Sequence, residues 1–180
     1  WEEIDIGQAG ADYGWNIREG FCANGSASDC IPPGDPAPPG LRNPLFAYNH
    51  DQLVPGTGTG SCKSITGGAF VPNGVWPAEY DGAYLFSDYV CGAIFSLKQN
   101  GSTATVTDFV RNLGSFSATH LRFGPFSSTQ ALYYTTFAGG GQVRRVAFAS
   151  VMNQPPTAVI SATPTAGATP LTVNFSAAGS

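Results

Sequence analysis

Four short runs follow one another between residues 65 and 110: ITGGAFV (65–71), AYLFSDY (83–89), AIFSLK (93–98) and ATVTDFV (104–110). β-Branched and aromatic residues crowd each run, and none places apolar residues at i, i+3, i+4 and i+7, so each reads as a strand. The joins carry turn chemistry. Pro72-Asn73-Gly74 and Val90-Cys91-Gly92 punctuate the first two, and Gln99-Asn100-Gly101-Ser102 the third, where the Asn-Gly pair suits the left-handed backbone of a type I′ hairpin. Four up-and-down strands in about 47 residues is the size of one propeller blade.

Downstream, the plan repeats with a strand at Thr119 to Phe123, a turn at Gly124-Pro125, a strand at Ala131 to Phe137, a turn at Ala138 to Gln142 and a strand at Val143 to Phe148. A fourth strand is missing. Propellers commonly close with a strand from the other end of the chain, so the gap implies upstream sequence outside this chain. Residues 149–156 read as a linker, because Pro155-Pro156 cannot continue a central strand. Residues 157–180 then change texture: Ala158 to Ser161 and Leu171 to Phe175 alternate as strands around a turn-like Thr163 to Pro170. Two strands cannot bury a core alone, so this is the front of another β domain. Upstream, Trp1 to Pro44 is loop-rich, with one strand candidate at Tyr13 to Arg18 and a Pro-dense excursion from Ile31 to Pro39.

Composition agrees with an all-β chain. The 180 residues include 23 Gly and 14 Pro, which punctuate regular structure, and 11% are charged, too few for a coiled coil, a helix bundle or a nucleic-acid binder. Hydrophobic residues at 42% and aromatics at 12% suffice for a core, which excludes disorder. A net charge of −4 offers no surface for nucleic acid, and no apolar run is long enough for a membrane span. Four Cys fit a secreted inventory, extracellular or periplasmic, in which thiols end as disulfides. Cys22-x7-Cys30 matches neither a zinc nor a redox spacing and reads as one bridge; Cys62 and Cys91 pair by elimination. Loop-closure entropy gives roughly 2.5 kcal/mol for the short bridge and roughly 3.5 kcal/mol for the long one.

Several motifs then fall in a familiar order. Trp1-Glu2-Glu3-Ile4-Asp5, Asp12-Tyr13-Gly14-Trp15-Asn16, Glu19-Gly20, Tyr48-x-His50 and Ser64-Ile65-Thr66-Gly67-Gly68 are followed by Tyr80-Asp81-Gly82-x-Tyr84-x-Phe86-x-Asp88-Tyr89, Gly92-x-Ile94-Phe95, Leu121-x-Phe123-Gly124-Pro125 and Ala131-Leu132-Tyr133-Tyr134. Together they resemble the glucose/sorbosone dehydrogenase family over residues 1–148. The resemblance implies the C-terminal portion of a six-bladed β-propeller, about two blades with a loop-rich lead-in. It also implies a secreted quinoprotein aldose dehydrogenase that uses pyrroloquinoline quinone (PQQ) and calcium. In that family a His base takes the sugar hydroxyl proton while the quinone accepts hydride; the catalytic His belongs to earlier blades, outside this segment. Pro155-Pro156-Thr157-Ala158-Val159-Ile160 and Pro170-Leu171-Thr172-Val173-Asn174-Phe175-Ser176 resemble the opening of a PKD domain, an immunoglobulin-like sandwich.

Where quinone-binding members of the family carry a Lys, this chain has Val90, and where they carry Arg-x-Arg it has Ser117-Ala118-Thr119. Those cations neutralise quinone carboxylates, which Val, Ser and Thr cannot do. His120 and Arg122, on the same strand, are the candidates to replace them. The family also has non-catalytic extracellular members, which leaves binding of a glycan or protein partner as the alternative to oxidation of a sugar. His50 and Lys63 read as structural and solvated residues respectively, Asp81-Gly82 as a turn, and Asp88 as either a turn cap or a channel-lining carboxylate. Gly67-Gly68 lacks the context of a phosphate loop and reads as a place where strands pack closely.

Overall fold

The short alternating runs settle into strands whose order follows the sequence. In the computed structural model, which describes residues 1–26, 30, 36–149 and 159–178, these are β1 (Glu2–Ile4), β2 (Arg18–Glu19), β3 (Cys22–Ala23), β4 (Phe46–Tyr48), β5 (Ile65–Phe70), β6 (Tyr84–Asp88), β7 (Ala93–Asn100), β8 (Thr103–Val110), β9 (His120–Phe126), β10 (Thr129–Thr136), β11 (Gln142–Val146), β12 (Val159–Thr163) and β13 (Asn174–Ala178). The protein is all-β: among the described residues every strand pairing is antiparallel and no sheet closes on itself. The backbone divides into the units Trp1–Phe148 and Ala149–Ser180. Part of the Pro-dense excursion (31–35) and most of the linker (150–156) lie outside the described residues.

In the first unit, β5-β6-β7-β8 form one sheet and β9-β10-β11 another. The first is apolar on both faces. Phe86, Phe95, Leu97 and Val106 pack with Phe46, Tyr48, Val54 and Cys62 from the lead-in, whereas Leu85 and Ile94 pack with Leu121, Leu132 and Tyr134 of the second sheet. This explains why β6 and β7 read as nearly continuous apolar runs, since a strand covered on both sides has no solvent face to alternate with. Each such fully buried Leu, Ile or Phe contributes about 1.5–3 kcal/mol. Trp76 joins the second cluster, stacked on Phe109 at 5.5 Å and edge-on to Phe123 at 4.9 Å.

The two sheets meet where β5 passes β9. The β5–β6 register slips between Thr66 and Gly68, leaving Gly67 as an extra residue at φ +48°. Such a bulge needs the left-handed backbone that glycine adopts without penalty. A Cβ on Gly67 would lie 3.0 Å from His120 Cα and 3.1 Å from Leu121 N, so the strands do pack closely here. Hydrogen bonds seal the junction: Thr66 Oγ1 donates to Ala118 O at 3.0 Å, and Ser87 Oγ bonds Ala118 O and Thr66 O. Both disulfides form as paired from the sequence, Cys22–Cys30 and Cys62–Cys91.

Three local expectations are corrected. The β7–β8 turn has positive φ at Gly101 but not at Ser102, the pattern of a type II′ turn in place of type I′: pairing of Asn100 with Thr103 leaves Gly101, not Asn100, as the first central residue. Gly124-Pro125 is not a turn but the end of β9; Pro there is tolerated because β9 is an edge strand, and the chain reverses at Ser127-Ser128 instead. Tyr13 to Ile17 is not a strand, because the amides of Ile17 and Arg18 both turn back to Gly14 O, and β2 begins only at Arg18.

In the second unit, β12 pairs with β13 from Val159↔Ala178 to Thr163↔Asn174. The second strand therefore starts at Asn174, three residues later than the alternation from Leu171 implies, and Ser161 Oγ meets Ser176 Oγ at 2.7 Å.

Gly67→Ala is expected to cost about 2 kcal/mol or more in a urea titration, because the left-handed backbone costs roughly 1–2 kcal/mol for an L-residue and the β9 backbone must also shift. Gly101→Ala meets nothing within 4 Å and should cost about 1 kcal/mol. Equal losses would contradict the close approach.

Candidate functional site

Asp88 ends β6 with its side chain fully buried. Its Oδ2 accepts from Tyr48 Oη at 2.6 Å and Ser64 N at 2.7 Å, and its Oδ1 from Val90 N at 2.9 Å and Cys91 N at 3.1 Å. It thus caps the β6–β7 turn, the first of its two expected roles, and ties that turn to β4 and to the entry of β5. Burial and the hydrogen bond to Asp88 push the Tyr48 phenol well above its usual range, so it stays a donor. Cys62, Asp88 and Cys91 gather ligand-type atoms within 4.8 Å of one another. The two sulfurs are bonded to each other and the carboxylate already accepts four hydrogen bonds, so this grouping does not fit a metal ion.

A second carboxylate works in the same way. Glu2 accepts Ile65 N at 2.7 Å and pairs with His50 Nε2 at 2.9 Å, fastening β1 to β5 and holding His50 in a structural role. Lys63 is exposed and stands 3.9 Å from Asp51. Asp81 accepts Gly74 N at 2.8 Å and so shapes the turn between β5 and β6. Arg18, unremarked in the sequence, is buried, with its guanidinium donating to Phe21 O at 2.9 Å and Asn43 Oδ1 at 3.1 Å. Glu3 and Asp5 both have carboxyls raised by desolvation, Glu3 further by the negative charge of Asp5.

His120 and Arg122 do come together, both exposed on the face of β9 opposite buried Leu121. Direct pairing runs Arg122↔Tyr133↔Arg145 across β9, β10 and β11, so these three share one face, Arg122 and Arg145 two strand spacings or about 10 Å apart. The Arg145 guanidinium lies 3.8 Å from the centre of the Phe126 ring, which orients its planar fork. No Asp or Glu follows Asp108 in the sequence. Among the described residues, neither Arg122 nor Arg145 has a carboxylate at ion-pair distance. The positions that precede this face are spent on packing: Ser117 Oγ donates to Leu113 O at 3.1 Å, Ala118 is buried, and Thr119 Oγ1 meets Thr135 Oγ1 at 2.8 Å. Val90 donates its amide to Asp88. What the sequence did not offer was Arg145, because only strand register reveals that residues 122 and 145 share a face.

Two predictions follow from these carboxylates. Asp88→Ala strands four donors in the interior and is expected to lower stability by about 3 kcal/mol or more; a loss below about 1 kcal/mol in chemical denaturation would contradict the arrangement. Glu3 and Asp5 bind their protons more tightly folded than unfolded, so they oppose folding at neutral pH and cease to do so as pH falls through their raised values toward about 4. Glu3→Gln and Asp5→Asn should therefore raise the thermal midpoint at pH 7, with a gain that shrinks toward pH 4. A gain that grows on acidification would have the wrong sign.

Among known proteins, no family model matches the chain, and no solved structure does. The chain is similar to the HIPL2 protein of Arabidopsis thaliana, 32% identical over 98 residues that make up 53% of this chain and 13% of the relative. It thus spans a small part of the length of that relative.

Proposed function

We propose that this chain is the C-terminal part of a secreted propeller of the glucose/sorbosone dehydrogenase kind, followed by the start of a PKD-like domain, and that the intact protein oxidises an aldose with PQQ. The observation that carries this reading is the cationic face of β9–β11: His120 and Arg122 beside Arg145, with no carboxylate partner among the described residues. A guanidinium of this kind favours planar, multiply charged anions, and the quinone carries carboxylates. When bound, PQQ supplies the hydride acceptor. This chain's contribution is to hold it: Arg122 and His120 neutralise and orient carboxylates, and Gly67 lets β5 approach the strand that carries them. The proton-abstracting His lies outside this segment. The grouping of ligand-type side chains at Cys62, Asp88 and Cys91 does not fit calcium, and no residue here is assigned to that ion. Two disulfides suit an oxidising compartment, and no helix among the described residues is long and apolar enough to cross a membrane, in keeping with secretion.

A second reading, a non-catalytic extracellular module that binds a glycan or protein, is favoured by Val90. It occupies the family's Lys position with an uncharged side chain, while its backbone amide donates to Asp88.

The full-length protein, supplied with PQQ and calcium, is expected to reduce an artificial electron acceptor in an aldose-dependent way, and Arg122→Ala to weaken PQQ binding by about tenfold, one charge-assisted hydrogen bond. Absence of turnover together with absence of a bound-quinone spectrum would overturn the enzyme reading in favour of the binding module.

A further inference from the structure

A cleft of about 410 Å³ opens between the loop after β1 and the first sheet, lined by Asp5, Leu45, Phe70, Tyr84, Leu97 and Gln99 among others. Among the described residues, none that lines it belongs to the cationic face and none is Lys, Arg or His. Its size is in the range that encloses a small ligand. Two aromatic rings form part of its wall: Phe70 and Tyr84 stand 5.1 Å apart, tilted by 51°. Phe70 is 69% exposed although it is a large apolar side chain at the end of a strand. The Tyr84 ring lies across Gly68, where any Cβ would collide with its hydroxyl, so the ring can occupy this place only because residue 68 has no side chain. Asp5 supplies the polar feature. Its Oδ1 is withdrawn from solvent and has no hydrogen-bond partner among the described residues.

The Asp5 carboxylate, half-buried in the cleft wall and without an ion pair among the described residues, is answered by a group that brings both a hydrogen and a positive charge. Glu3, close enough to raise its own carboxyl through the charge on Asp5, adds to the negative potential there. Aromatic faces attract the same cation. We propose that this cleft binds an ammonium group, with Asp5 as its hydrogen-bonding counter-ion and Phe70 and Tyr84 as its aromatic wall. The ammonium belongs either to an amino sugar or to a lysine side chain, which share this chemistry. Leu45 and Leu97 give the carbon skeleton an apolar floor. The site does not depend on quinone binding or turnover.

The test uses the full-length protein and NMR titration, following the Phe70 and Tyr84 ring resonances. n-Butylammonium is expected to shift them saturably in the millimolar range, and n-butanol, its neutral counterpart, to bind at least tenfold more weakly. Asp5→Asn should weaken the ammonium at least tenfold, and Phe70→Ala severalfold, with both variants checked for folding by their thermal midpoints. Glucosamine and a lysyl peptide, titrated in parallel, separate the two sources: preference for either supports the proposal and names the source. Equal binding of butanol and butylammonium, an Asp5→Asn variant that binds as the wild type does, or no saturable shift would each overturn it.

Discussion

One buried carboxylate organises the first sheet. Asp88 sits at the end of β6 between two apolar clusters, in a place where an unsatisfied charge would cost several kcal/mol. Four donors from three separate segments converge on it, and the Cys62–Cys91 disulfide closes the same corner covalently. The corner explains how a loop-rich lead-in with strands of two or three residues can be part of one unit. Tyr48 comes from β4, Ser64 from the chain entering β5, and Val90 and Cys91 from the turn into β7, so the carboxylate fixes the position of each relative to the others. Glu2 repeats the device one step outward through Ile65 and His50.

The second sheet depends on this corner through β5. Gly67 removes the side chain that would hold β9 away, and the hydroxyls of Thr66 and Ser87 take up the carbonyl of Ala118. With that junction closed, Leu121 turns inward, and strand alternation sends His120 and Arg122 outward. The cationic face is thus a consequence of packing at one glycine. The charge of the chain is divided accordingly, with every Asp and Glu at or before Asp108 and arginines on the sheet that follows. A net charge of −4 conceals this polarity entirely.

Much of this was legible in the residues. β5 to β8 fall within two residues of where apolar runs and turn signals put them, since a sheet covered on both faces writes long apolar strands. Both disulfides followed from spacing and elimination, and the close packing at Gly67 from a glycine pair with no other chemistry. What remained hidden depended on contacts distant in sequence. β1 and β4 are three residues each and become strands only by pairing with each other across more than forty residues. Gly124-Pro125 carries turn residues yet lies in β9, because an edge position frees Pro from donating to the ladder. Arg145 and the Asp5 cleft had no local signature: the first requires register, the second the meeting of β1's end with β5 and β6.

Hydrogen exchange at single amides tests the central claim, that the Asp88 corner is part of the global core. The account predicts that the amides of Ser64, Val90 and Cys91 exchange only through global unfolding, as slowly as those in the middle of β6 and β7, although they lie in loops. If they exchange at the rate of the exposed hairpin tip at Gly101-Ser102, the corner opens by itself and the account is contradicted.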